Sequence, residues 1–193
     1  MGQRLPIVIM FSGNGSNMQA IMDRCDSFVK IKGVVTDNPF AYGIHRAAKA
    51  NLPTIVHVQK PDETREQYCE MLASEVRVFE PELIVLAGFM KILTPNFIQS
   101  FSRSINIHPS LLPKFKGLDT HKRVLEAYKR GEVNTHGVTI HWVNEELDSG
   151  PIIMQDALDI REWDTEETLE ARIHELEHMW YPWTITKIAA ARW

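Results

Sequence analysis

Pro6-Ile7-Val8-Ile9-Met10-Phe11, followed at once by Ser12-Gly13-Asn14-Gly15-Ser16-Asn17, decides how the rest of the chain is read. The first six residues form a continuous apolar run, the pattern of a strand buried on both faces. The glycine-rich turn that ends it leads into Met18, Ile21, Met22 and Cys25 at helical spacing. Strand, tight turn and helix in that order predict the opening unit of a parallel α/β sheet.

The alternation continues downstream. Residues 31–35 read as a second strand, 41–51 as a helix and 54–58 as a third strand. Asp62 is expected to open a helix reaching about Phe79, with Tyr68, Met71, Leu72 and Phe79 turned inward. Leu-Ile-Val-Leu-Ala at 83–87 is the clearest buried strand, and Gly88 ends it. Thr94-Pro95 starts a short helix, 104–107 forms a strand and 120–129 a helix. Residues 135–143 alternate, with Val138, Ile140 and Trp142 on one face, and 152–154 and 157–160 supply one or two more strand pieces. Asp164, with Glu167 three residues on, is expected to cap a last helix that Pro182 interrupts after Tyr181. The fold expected is α/β: a single-domain, mostly parallel Rossmann-like open sheet with helices on both faces and an antiparallel portion in the C-terminal half.

A length of 193 residues suits one domain able to bury its own core. Net charge is −4 and no long basic run occurs, which argues against nucleic acid or a membrane surface as partner. The only cysteines, Cys25 and Cys69, fall inside helical patterns and read as reduced, partly buried thiols. The apolar run near Met1 is too short for a signal peptide, and no stretch approaches membrane-spanning length. A cytoplasmic protein acting on small molecules is expected, as monomer or homodimer.

Four segments could carry chemistry. Gly13, Gly15, Ser16 and Asn17 stand where a helix N-terminus offers free N–H groups to an anion. The third glycine of a dinucleotide fingerprint is replaced by Met18, and no Gly-Lys-Ser/Thr follows. Either a single phosphate or a plain strand-to-helix turn fits. Asn106 and His108, two apart at the end of a strand, leave it on one face. An amide donor beside an imidazole suits a carbonyl oxygen that gains negative charge, and a satisfied loop histidine is the competing account. Asp148 sits in a turn-rich loop, where most aspartates stabilise the turn. Brought close to His108, it would favour a charged imidazole.

His174-Glu175-Leu176-Glu177-His178 matches the zinc-protease pattern on a helix. A zinc site of that kind needs a third, usually downstream ligand, and no His, Asp, Glu or Cys follows His178. No metal is expected. Glu177 lies beside the apolar stripe Leu169, Ile173, Leu176, Trp180, so its carboxylate must reach a partner, either an amine on a ligand or a salt bridge.

Together these segments resemble the phosphoribosylglycinamide formyltransferases, from Ile7 to about Pro182. The markers stand in order: S-G-N-G-S-N at Ser12, L-A-G-F-M-K-I-L at Leu86, N-I-H-P-S-L-L-P at Asn106, H-G-V-T-I-H at His136 and E-L-D-S-G-P at Glu146. The resemblance implies that Asn106, His108 and Asp148 are the catalytic trio. It implies that Gly15, Ser16 and Asn17 hold the phosphate of glycinamide ribonucleotide, and that His174, Glu175, Leu176 and Glu177 meet its glycinamide end. It places 10-formyltetrahydrofolate, the formyl donor, against Met90, Lys91, Ile92 and Leu93, against Asn106, and along the loop Asn144, Glu145, Glu146, Leu147 and Asp148. Arg65 would approach the benzoyl-glutamate portion. Residues 1–100 would form the mononucleotide- and phosphate-binding half and 101–193 the catalytic and folate-binding half. A cis Leu112-Pro113 bond is also implied. Asp119 departs from the pattern, since many members carry His there, and Lys91 replaces a commoner Arg. Methionyl-tRNA formyltransferase, formyltetrahydrofolate hydrolase, a silent sugar-phosphate binder and a zinc peptidase are the rival readings. The first would add a C-terminal RNA-binding domain and the second an N-terminal regulatory domain.

Overall fold

Leu5–Phe11 forms β1 in the middle of the molecule, in a computed structural model that describes residues 4–25, 27–101 and 103–191. The elements that follow are α1 (Ser16–Arg24), β2 (Val29–Thr36), α2 (Gly43–Lys49), β3 (Thr54–Val56), α3 (Arg65–Arg77), β4 (Leu83–Leu86) and α4 (Pro95–Ser100). The C-terminal half holds β5 (Ser104–His108), α5 (Thr120–Lys129), β6 (Thr135–Trp142), β7 (Ile152–Asp159) and α6 (Glu166–Ala190). The strands make one sheet in the order β3-β2-β1-β4-β5-β6-β7. The first five run parallel, and β6 and β7 add antiparallel pairings at one edge.

The double-sided apolar character of β1 has a direct structural counterpart. Ile7, Ile9 and Phe11 pack with Met18, Ile21, Ala47, Tyr181 and Ile185, so α1, α2 and α6 cover one face. Val8 and Met10 pack with Tyr68, Leu72, Val76 and Phe97, so α3 and α4 cover the other. Each such side chain, fully withdrawn from water, stabilises the fold by about 1.5–3 kcal/mol relative to exposure. The Tyr181 hydroxyl donates to the carbonyls of Leu86 at 2.8 Å and Ile105 at 3.2 Å, tying α6 to the ends of β4 and β5. The Leu112-Pro113 bond is cis.

Three helix limits differ from expectation, each for a local reason. The third helix starts at Arg65, not Asp62, because Thr64 and Gln67 form a reciprocal capping box. The last helix is capped by Thr165 with Thr168, while Asp164 accepts from the Arg161 N–H and pairs with Arg172 at 2.5 Å. Pro182 does not end that helix, which runs on to Ala190. A proline deprives the carbonyl four residues back of its N–H partner. Here that carbonyl belongs to His178, and the Arg24 guanidinium donates to it at 3.0 Å. Ile152–Asp159 is one continuous strand.

Candidate active site

The parallel strands β1, β4 and β5 end at the wall of a cleft of about 650 Å³. Ligands in open α/β sheets sit beyond such strand ends. Three segments supply the cleft's polar centre: Asn106 and His108 from β5, His141 from β6, and Asp148 from the loop after β6.

His108 and Asp148 are both buried, with 6% and 8% of their surface exposed, so whatever they bond inside the cleft is not diluted by bulk water. The His108 Nδ1 lies 3.5 Å from Asp148 Oδ2. Its Nε2 lies 3.0 Å from the Phe115 carbonyl, which can only accept, so Nε2 carries a proton. Asp148 is held in turn by the Gly117 N–H at 2.9 Å and has left-handed backbone, φ 48°. Lys116 bonds Ser149 beside it, and Arg123 clamps the Lys116 carbonyl at 2.6 Å. The loop 115–118 is thus fastened to both members of the pair. Asn106 Nδ2 meets His141 Nε2 at 3.2 Å, and His141 Nδ1 meets the Trp142 carbonyl at 2.9 Å. Burial pushes the His141 pKa down, outweighing the nearby Asp148 carboxylate.

At the other end of the cleft, Gly15 precedes α1 as its N-cap residue, with φ 73° and no side-chain cap. A Cβ there would meet Gly43 Cα at 2.8 Å, so backbone conformation and close approach both require glycine. The uncapped first turn leaves N–H groups open to a ligand. Glu177 projects from α6 onto this turn and is 4% exposed. It accepts from Asn17 Nδ2 at 2.9 Å and lies 3.8 Å from His174 Nε2. Burial raises its pKa from the ordinary 4.5, against the opposing pull of Asn17 and His174. The Asn17 Oδ1 is buried with no protein partner.

Most residues expected at the site line this one cleft: Gly15, Ser16 and Asn17; Met90, Lys91, Ile92 and Leu93; Asn106 and His108; Asn144 through Asp148; His174 and Glu177. Three do not. Glu175 is exposed and Leu176 half-buried, both outside the wall, because successive helical residues turn by about 100° and only positions three or four apart share a face. Arg65 lies in the first turn of α3, away from the wall, 3.6 Å from Glu66. His121, His141, Glu166 and Glu170, which sequence reasoning does not single out, also line the cleft, as does Asp119, the departure from the family pattern. Helical spacing from Glu177 back through His174 could have found Glu170. His121 Nδ1 lies 3.0 Å from His136 Nε2, and burial pushes His136 down to about 3.

The His174 and His178 rings stack at 5.9 Å. Burial, then the neighbouring His174, Arg24 and Arg46, hold the His178 pKa down, an environment unfavourable to a dication. Among the described residues no group of three or more His, Cys, Asp or Glu is arranged to hold a metal. Nor is any helix among them long and apolar enough to cross a membrane.

Residues 5–185 match the formyl transferase family. A phosphoribosylglycinamide formyltransferase of Escherichia coli strain K12 is 41% identical over 191 residues, covering 96% of this chain and 88% of that protein. One from Bacillus subtilis strain 168 is 40% identical over 93% of this chain and 92% of its own. The solved structure of the Coxiella burnetii phosphoribosylglycinamide formyltransferase, in complex with CHES, superposes with a TM-score of 0.90 at 42% identity, covering 98% of this chain and 89% of that one. The chain therefore belongs to the formyl transferase family.

Proposed function

We propose that this enzyme transfers the formyl group of 10-formyltetrahydrofolate to the amine of glycinamide ribonucleotide, in keeping with relatives named phosphoribosylglycinamide formyltransferases. One observation carries the reading. A single cleft holds the Asn106, His108, Asp148 cluster at one end and the uncapped α1 turn with buried Glu177 at the other.

The N–H groups of residues 15–17 would take the ribonucleotide phosphate, since anions are stabilised at a free helix N-terminus. Glu177, with His174 beside it, would hold the glycinamide end, where a buried carboxylate answers an amine. The apolar side chains of Ile92, Leu93, Val143 and Leu147, all on the wall, suit the flat rings of the folate. Lys91 and the backbone of 90–93 and 144–148 would contact its polar edges. Arg65 is left for the outermost, acidic end of the folate. Glu175 and Leu176 have no contact in this scheme.

In the proposed reaction the amine nitrogen attacks the formyl carbon and the carbonyl π pair moves to oxygen. Asn106 donates to that oxygen, and His108, whose ring nitrogens face the Phe115 carbonyl and Asp148, stabilises the charge that develops on it. A preorganised donor of this kind contributes about 3–4 kcal/mol in the transition state. Asp148 faces His108 and would help pass the amine proton, through water, to the departing folate nitrogen as the carbon–nitrogen bond breaks. Holding both substrates in one cleft adds the benefit of proximity.

The direct test mixes enzyme, 10-formyltetrahydrofolate and glycinamide ribonucleotide and follows deformylated folate spectrophotometrically. Release is expected only when both substrates are present. Release without the ribonucleotide would replace the proposal with a hydrolase.

A further inference from the structure

Asn106 on β5 and His141 on β6 are direct cross-strand partners, which puts both side chains on the same face of the sheet. We infer that His141 is a positioning residue for formyl transfer: it fixes which way the Asn106 amide faces and so aims one Asn106 N–H into the cleft. This rests on the reading of Asn106 as a donor to the reacting carbonyl.

The Trp142 carbonyl, 2.9 Å from His141 Nδ1, can only accept, so Nδ1 carries the ring proton. In a neutral imidazole Nε2 is then an acceptor. The Asn106 group 3.2 Å from it must be the amide NH2, not the amide oxygen. One Asn106 N–H is consumed by His141, and the planar amide then fixes the direction of the second. His141 is 3% exposed. His108 and Lys116 join burial in disfavouring its charged form, while Asp148 and the Trp142 carbonyl oppose them, and the balance is downward. Asp148 Oδ1 stands 3.9 Å from Nε2, beyond hydrogen-bond reach. A protonated His141 would present a second donor and turn the Asn106 oxygen toward itself.

Two features preserve the relay. The β6–β7 register shifts between Ile140 and His141, and such irregularities re-aim side chains near functional sites. Gly150 lies against the Trp142 carbonyl, where any Cβ would come within 1.7 Å of the oxygen His141 needs. A merely well-packed core histidine would not need its acceptor nitrogen.

The test is a double-mutant cycle on the full chain, with kcat, KM for the ribonucleotide and thermal melts for each variant. His141→Leu is expected to lower kcat about 10-fold or more, up to the roughly 10²–10³-fold cost of losing such a donor outright. KM should stay within about twofold. In an Asn106→Ala background the same change should alter kcat less than about twofold. His141→Gln, whose Oε1 can accept from Asn106, should recover most of the loss. Should His141→Leu fail to fold, His141→Asn serves in the same cycle, being too short to reach. Equal losses with and without Asn106, or a raised KM at unchanged kcat, would overturn the inference. Wild-type kcat in Asn106→Ala alone would instead remove the reading of Asn106 on which it rests.

Discussion

Asn17 and Glu177 meet in a buried hydrogen bond of 2.9 Å although 160 positions separate them. The bond sets a carboxylate against the uncapped turn of α1. Because the folded pKa of Glu177 is raised above 4.5, its protonated form is the one the fold favours. Its contribution to stability is fully present below 4.5 and is lost as pH rises through the raised value. Glu177→Gln should therefore raise Tm at pH 8 by roughly 2–4 °C, about 1 kcal/mol for a chain of this size. The advantage should shrink toward pH 4, and KM for the ribonucleotide should rise about 10-fold or more. Calorimetry at the two pH values checks the first part, and an unchanged KM would remove Glu177 from the substrate site.

His108→Ala and Asp148→Asn should each lower kcat about 10²–10³-fold, the usual cost of losing a preorganised charge-stabilising group. Titration calorimetry should find ribonucleotide affinity within a few-fold of normal, because the groups proposed to hold it, the turn at residues 15–17 and Glu177, come from other segments of the cleft wall. Near-normal turnover in both variants would sink the proposed mechanism.

His136 gives a pH dependence of opposite sign. Burial holds it neutral down to about pH 3, far below the ordinary 6.5. The unfolded chain binds that proton first, so stability is present above 6.5 and is lost as pH falls toward 3. His136→Gln should flatten the fall in Tm between pH 7 and pH 5, measured by differential scanning calorimetry. Equal slopes in the two proteins would assign the acid sensitivity elsewhere.

The bond from Arg24 to the His178 carbonyl makes a compensation testable. Arg24→Ala should cost about 0.5–1.5 kcal/mol in urea unfolding, the typical net value of a hydrogen bond. In a Pro182→Ala background the cost should fall, because the new N–H can reach the same carbonyl. An undiminished cost would mean that Arg24 stabilises the chain by another contact.

What could be read from the chain alone followed physical locality. The runs at β1 and β4 are apolar on both faces and alternate with helical segments, the pattern of a buried parallel sheet, so the architecture was legible. The limits of α5 were legible as well. Helix starts failed where two capping residues of similar chemistry stood close together, Asp62 with Thr64 and Asp164 with Thr165. Pro182 misled because its compensation comes from Arg24 on another helix. Asp148 was legible only through resemblance, since the contact with His108 closes across a loop. His141 was missed because its meaning depends on the register that sets it opposite Asn106, and no local pattern states a register.

The left-handed backbone at Asp148 narrows the routes by which this site could change over generations. At φ 48° Asp, Asn and Gly are the favoured residues, although Glu80 and Phe115 hold similar left-handed backbone elsewhere in the chain. Glutamate preserves the charge but is less favoured than aspartate in left-handed backbone and carries its carboxylate a methylene too far. Asparagine preserves the shape and loses the charge. Each conservative exchange thus gives up one of the two properties that aspartate combines there, and natural drift at this position should be nearly frozen.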